Sequence, residues 1–370
     1  MLTQGVNLGT LAALFRKEFE LCRVRKGETV VLLIDQNTLP EYIAASFAAA
    51  SELGADSYSV GVSTPHDWYL INSEAPGSGK GMMEALKAAD LIVTFFPANL
   101  TNWSRELRAA GPKGPRMLLV GESPQQLTRL LSPPGLKEAV LHAAKRWGDA
   151  KEIRVYSEAG TDMTWSRSYD PVRAYYGFAD DGGRYDQWGG GHITDFPAEG
   201  TANGTVVLMP GDLWILPYIR VFEGKVTLEI RDGFIRKVTG GVDAKAFTNW
   251  LDRNKRSEGD MDPYAVSHLG FGLHPNAHWD SVLLYGNNVN EVQLSARAFA
   301  GNFLFSTGPS NTRQTKGHID APMCDCSVAL DNDPVLDRGK FVDPRMVVAR
   351  TAAGLTTAAE WRSGVKTCRP

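Results

Sequence analysis

The chain is expected to fold as an α/β N-terminal domain with a mainly parallel sheet (residues 1–151), followed by an α+β, largely antiparallel C-terminal domain (residues 152–370). Three observations predict this. At 370 residues the chain exceeds the roughly 100–200 residues of one ordinary domain. Its first 150 residues alternate short continuous apolar runs with stretches of helical period, the pattern of a parallel sheet covered on both faces. Near Glu152 the composition turns to Gly, Trp and Tyr, and the segments become short strands joined by turns.

In chain order, Leu11, Leu14, Phe15, Phe19 and Cys22 recur at helical spacing, so the N-terminus reads as an amphipathic helix. Thr29–Asp35 is a β-branched strand run. Ile43, Phe47 and Ala50 mark the next helical face, with Gly54 as its C-cap. Asp56–Val62, Leu91–Phe96 and Arg116–Gly121 repeat the strand signal, and Leu136, Val140, Ala144 and Trp147 form a further helix. Beyond residue 152, strands are expected at Ile153–Tyr156, Thr205–Leu208, Leu213–Pro217, Val226–Ile230 and Phe234–Val238. Arg231-Asp232-Gly233 between the last two is a hairpin signal, because Asp-Gly supplies the positive φ of a tight turn. A helix is expected over Val242–Asn254, after Gly240-Gly241. Residues 352–370 are polar and Ala-rich, read as a helix or a loose tail.

Composition narrows the function. Thirty-nine basic residues stand against 42 acidic ones, a formal charge of −3, which argues against a nucleic-acid or anionic-membrane surface. No run approaches the ~20 apolar residues that span a bilayer, and no basic segment precedes an apolar core near residue 1. Four scattered cysteines do not make a disulfide framework. A cytoplasmic protein is expected. Glu74 to Gly81 resembles a phosphate-binding loop, but Glu74 replaces the first glycine and Gly81 replaces the Ser or Thr, so it reads as a solvated turn. The first strand carries no G-x-G-x-x-G, so the Rossmann-like layering comes without its dinucleotide fingerprint. No G-x-S-x-G or C-x-x-C occurs, and Cys324-Asp-Cys326 reads as packed rather than metal-binding.

Histidine placement says more. Four of seven (His268, His274, His278 and His318) fall within a 51-residue span. If His318-Ile-Asp320 is extended, the period of two puts imidazole and carboxylate on one face, with Ile319 turned away. Such a pair can occupy two positions around a divalent metal. A third ligand from elsewhere would complete a 2-His-1-carboxylate face with positions open for substrate and dioxygen. His268 lies in Ser267-His-Leu-Gly-Phe-Gly-Leu273, whose glycines permit close backbone approach to a pocket. His274 and His278 share a helical spacing, but Pro275 and the missing Glu spoil the H-E-x-x-H pattern.

Three blocks together (Ser267 to Leu273, Ala298 to Pro309, and Gly317-His-Ile-Asp-Ala-Pro322) resemble the 2,5-dihydroxypyridine 5,6-dioxygenase family. The similarity covers most of residues 85–340, including Asp180–Trp188 and Gly204–Gly241, and is strongest over 264–330. That family more distantly resembles the thermophilic metallo-aminopeptidases. The resemblance implies a C-terminal domain that is catalytic and metal-binding, with a mononuclear non-haem Fe(II) held by His268, His318 and Asp320. It implies extradiol-type cleavage of a hydroxylated pyridine or related aromatic by O₂, and a homo-oligomer. Glu199 lies where both relatives carry an acid and is a candidate to orient a ligand or handle protons.

The sequence also departs from the family pattern. Pro97–Trp103 contains no histidine where the dihydroxypyridine enzymes carry one, Gln187 stands in place of a histidine, and Tyr175 in place of an acid. These positions, with Arg173 and His192 as partners for a substrate carboxylate, are the expected substrate-side residues. The alternative is a co-catalytic metallo-aminopeptidase. It requires two metals and further acids, and the peptidases carry an acid where this chain has His268.

Overall fold

The structure is a computed structural model that describes residues 7–64, 79–98, 101–168, 170–279 and 295–351. Residues 74–78 of the solvated turn expected over Glu74–Gly81, the tail expected over 352–370 and residues 99–100 of the histidine-free loop lie outside them; Lys80 and Gly81, expected in that turn, instead open a helix.

The chain divides into two compact units. The first comprises Met1–Leu131 and Gly177–Gly190. Its elements are α1 (Leu8–Leu21), β1 (Thr29–Ile34), α2 (Pro40–Glu52), β2 (Asp56–Gly61), α3 (Lys80–Lys87), β3 (Leu91–Thr94), α4 (Asn102–Ala109), β4 (Arg116–Leu119), α5 (Pro124–Arg129) and, after an excursion of the chain, β8 (Tyr185–Gln187). Five strands pair in parallel in the order β2-β1-β3-β4-β8. The apolar runs of β1, β3 and β4 become buried strands, whereas β2 lies at the edge and has only exposed and half-buried positions. Asn7 caps α1 by accepting the Thr10 N–H at 3.1 Å, and α1 buries Leu11, Leu14, Phe15 and Phe19. Phe15 meets the Trp188 ring edge-on at 5.1 Å.

The second unit comprises Ser132–Tyr176 and Gly191–Pro370. It begins with α6 (Leu136–Asp149), β5 (Glu152–Tyr156), β6 (Asp162–Ser166) and β7 (Arg173–Tyr175), and resumes with β9 (His192–Asp195), β10 (Asn203–Leu208), β11 (Leu213–Trp214), β12 (Arg220–Val221), β13 (Val226–Arg231), β14 (Phe234–Gly240), α7 (Val242–Arg253), β15 (Leu269–Gly272), β16 (Phe303–Thr307), β17 (Ile319–Met323), β18 (Ser327–Leu330), β19 (Asp333–Asp337) and β20 (Lys340–Phe341). An eight-stranded antiparallel sheet runs β14-β13-β10-β6-β5-β18-β19-β20, and a five-stranded antiparallel sheet runs β17-β16-β15-β9-β7. Trp147 of α6 packs edge-on against Phe271 at 5.5 Å, and its indole N–H donates to Asp195 at 3.1 Å.

The parallel and antiparallel sheets are those the sequence predicts, and the hairpin turn has the expected positive φ at Asp232 (52°) and Gly233 (76°). Two details differ. In place of a single division after residue 151, α6 belongs to the second unit and residues 177–190 to the first. The reason is that β8 pairs with β4, Leu119 opposite Gln187. The strand expected over Leu213–Pro217 also pairs with β12 only at Leu213 and Trp214; Ile215 and Leu216 instead bond the main chain of Asp320.

Candidate metal centre

Three adjacent strands of the five-stranded sheet assemble the site. His318 directly precedes β17, which carries Asp320, and His268 directly precedes β15. Between them lies β16, whose Ser306 sits opposite Asp320 and donates its hydroxyl to the His268 carbonyl at 2.5 Å. Two glycines let β15 sit this close to its neighbours. A Cβ on Gly270 would lie 1.9 Å from the Ile193 carbonyl oxygen, and one on Gly272 would lie 2.4 Å from that of Phe299. The close approach expected of these glycines is therefore to neighbouring backbone, not to a pocket.

The Nε2 atoms of His268 and His318 each lie 3.4 Å from Asp320 Oδ1. One donor atom from each of the three residues falls within 4.8 Å of the others, and among the described residues this is the one such group of His, Cys, Asp and Glu. His318 and Asp320 are buried, and His268 is nearly so. The His318 Nδ1 is 2.6 Å from the Thr307 carbonyl. A carbonyl only accepts, so Nδ1 carries the proton and Nε2 presents its lone pair. Behind the ring, the Trp250 indole N–H donates to the His318 carbonyl at 3.1 Å.

The electrostatics suit a cation. Burial pushes both imidazoles to lower pKa, His268 well below the usual histidine value, although the Asp320 carboxylate works in the opposite sense. Burial raises the Asp320 carboxyl, but the charge and hydrogen bond of Arg297 outweigh it and hold the group ionised well below the usual carboxylate range. Two neutral imidazoles and an ionised carboxylate are metal donors as they stand. Asp320 Oδ1 accepts no hydrogen bond among the described residues although it is buried. A buried anionic oxygen left unpaired between two imidazole nitrogens is costly without a cation, so the residues present fit a divalent metal.

The other predicted residues are placed as follows. Tyr175 and His192 pair across β7 and β9, and their rings stack at 4.8 Å. His192 is buried and pushed down to about 3 by burial and then by Arg297, with Asp320 opposing. The Arg173 guanidinium covers the Phe196 ring at 4.7 Å, and that ring meets His268 edge-on at 6.1 Å. Glu199 is exposed and bonds Arg313, Ser310 and Thr312; it does not belong to the three-residue group. Gln187 lies on β8 in the first unit. His274 is buried, with its Nδ1 accepting the Asn276 N–H, and His278 is buried beside Ser295.

Sequence reasoning missed Arg297, which pairs with Asp320 Oδ2. It belongs to no spacing motif with Asp320; its one signal is its place beside the Ala298 block.

A family model described as 2,5-dihydroxypyridine 5,6-dioxygenase matches residues 10–343. The chain belongs to that family. Within the family, it is 33% identical over 357 residues to the 2,5-dihydroxypyridine 5,6-dioxygenase of Pseudomonas putida, covering 93% of this chain and 99% of that one. The solved structure of 2,5-dihydroxypyridine dioxygenase from Pseudomonas putida superposes with a TM-score of 0.86 at 31% identity, over 93% of this chain and all of that one. Wild-type AmpT from Thermus thermophilus shares the fold at a TM-score of 0.52 and 12% identity, over 90% of this chain and 99% of that one. No described helix is long and apolar enough to cross a membrane.

Proposed function

We propose that this chain is a ring-cleaving dioxygenase that uses ferrous iron and O₂ on 2,5-dihydroxypyridine or a closely related hydroxylated N-heterocycle, with extradiol-type cleavage. The observation that carries the reading is the buried group of His268, His318 and Asp320, with an unpaired carboxylate oxygen 3.4 Å from both Nε2 atoms. Family membership gives the reaction class its support.

His268, His318 and Asp320 would hold the iron, which when bound supplies Lewis acidity and a route for electrons between a deprotonated ring hydroxyl and O₂. Three protein donors leave positions for both reactants. The Thr307 carbonyl keeps the His318 proton on Nδ1, which leaves Nε2 as the ligating nitrogen of the neutral ring, and burial lowers the pKa of that ring. Phe196 shields one side of His268 from water, and the Arg173 guanidinium over that ring places positive charge for an anionic substrate. His192, held neutral far below the working pH, is a weak base; it serves better to hydrogen-bond a ring oxygen or nitrogen, with Tyr175 stacked on it to fix its plane. Glu199, tied to Arg313, is a support for the loop after β16.

Oxygen uptake tests the proposal. Protein purified anaerobically and loaded with ferrous iron should bind one iron per chain and consume one O₂ per 2,5-dihydroxypyridine opened. Absence of uptake across a panel of dihydroxypyridines and their carboxylated analogues would overturn it. Two zinc or cobalt ions per chain, together with peptide hydrolysis, would point to peptidase chemistry.

A further inference from the structure

We propose that Arg297 is a positioning residue that restricts Asp320 to a single donor oxygen toward a divalent cation. This rests on the reading that His268, His318 and Asp320 hold such a cation. The observation behind it is the asymmetry of the carboxylate. Oδ2 is paired with the Arg297 Nη2, whereas Oδ1 lies 3.4 Å from each imidazole Nε2 and accepts no hydrogen bond among the described residues.

An ionised carboxylate has about four lone-pair sites and takes a metal through one oxygen or both. A guanidinium is permanently charged, planar and rigid in its donor geometry. Seated on Oδ2, it excludes a metal ion from that oxygen by occupancy and by repulsion. The Arg297 side chain is only 15% exposed, so solvent screens this pairing little. Swinging away would leave two buried charges apart, which is strongly unfavourable.

The backbone of Arg297 is fixed to the same framework as the imidazoles. The Asn302 amide donates to the carbonyls of Ala296 (2.6 Å) and Arg297 (3.1 Å), and its oxygen accepts the Gly272 N–H at 2.7 Å. Gly272 ends β15, the strand that His268 leads into. Asn302 thus ties the arginine that caps Asp320 to the strand that delivers His268. With one oxygen capped, the protein offers two nitrogens and one oxygen, and the position a second carboxylate oxygen would take stays available to an incoming ligand.

Cobalt(II) titration tests the inference without relying on turnover. Parent, Arg297→Met and Arg297→Lys chains are compared by cobalt affinity, by the visible absorption of the cobalt form, and by azide affinity of that form. Arg297→Met should bind cobalt roughly tenfold more tightly and azide roughly tenfold more weakly, with shifted visible bands, since it removes a fixed positive charge a few ångströms from the cation and frees the second carboxylate oxygen. Arg297→Lys should restore parental values. Arg297→Gln is the second neutral variant, with the same expectation, should Arg297→Met fail to fold. Azide affinity and spectrum equal to the parent's in a folded neutral variant would overturn the inference alone. Loss of cobalt from a folded neutral variant would also overturn it, since Arg297 would then support the whole cluster. A parent chain that takes up no cobalt would overturn the metal reading and the inference with it.

Discussion

Gly270→Ala is expected to disrupt both the sheet and the metal site. The added methyl would stand 1.9 Å from the Ile193 carbonyl oxygen, about 1.5 Å inside ordinary van der Waals contact, and would crowd the Thr194 Cα at 3.1 Å. Both obstacles are backbone of β9, so no side chain can turn to make room. The strands must separate where Gly270 lies opposite Thr194 and Phe271 opposite Ile193. Overpacking of this kind costs about 1–3 kcal/mol, and each ladder hydrogen bond lost adds roughly 1 kcal/mol. A total of about 3 kcal/mol lowers the melting temperature of a unit this size by roughly 6–12 °C. Because His268 is two residues upstream, metal affinity should fall in parallel. Thermal melts and cobalt titration check both effects, with Gly259→Ala as control, since a Cβ there meets nothing within 4 Å. A Gly270→Ala protein that melts within 1 °C of the parent and keeps its cobalt affinity would refute the reasoning.

Asp320→Asn removes the one anionic donor of the group and should cut iron or cobalt affinity by at least roughly a hundredfold, while circular dichroism shows the fold retained; unchanged metal content would count against the assignment. Trp250→Phe deletes the indole donor to the His318 carbonyl and should cost about 1 kcal/mol in thermal unfolding, with a loss of metal affinity smaller than tenfold. Glu18→Gln tests a buried acid in α1 whose two oxygens accept no hydrogen bond among the described residues, and whose pKa is raised well above the usual value by burial and then by Asp186. A raised folded-state pKa contributes stability that is full below the unfolded value and is lost as pH rises toward the folded one. Glu18→Gln should therefore raise the melting temperature at pH 8 but not at pH 4, and an equal effect at both would exclude this linkage.

The first sheet is legible in the sequence because β1, β3 and β4 are continuous apolar runs, as strands buried on both faces must be. β8 is not legible. Arg184-Tyr-Asp-Gln187 is polar and short, and the burial of Asp186 depends on partners that no strand pattern announces: the Arg184 guanidinium two residues before it and the main-chain N–H of Gly177. The pairing of His318 with Asp320 follows from a strand's period of two, a local rule. That His268 joins them depends on the strand order β17-β16-β15, which no local spacing encodes, so His268 is singled out as the third ligand only once the family resemblance is used. Arg297 is harder still, because it reaches Asp320 from 23 residues away through a single side chain.

The return of the chain to β4 through β8 has a consequence for anyone who would divide this protein. A fragment ending at residue 151 keeps β1 to β4 but forfeits the strand that closes the far side of β4, leaving the N–H and C=O groups of Met117 to Leu119 bare along a wholly apolar stretch. Unsheltered strands of that kind recruit other chains. Such a fragment should precipitate, whereas one in which a short linker splices Phe178–Trp188 back after Leu131 should remain dispersed.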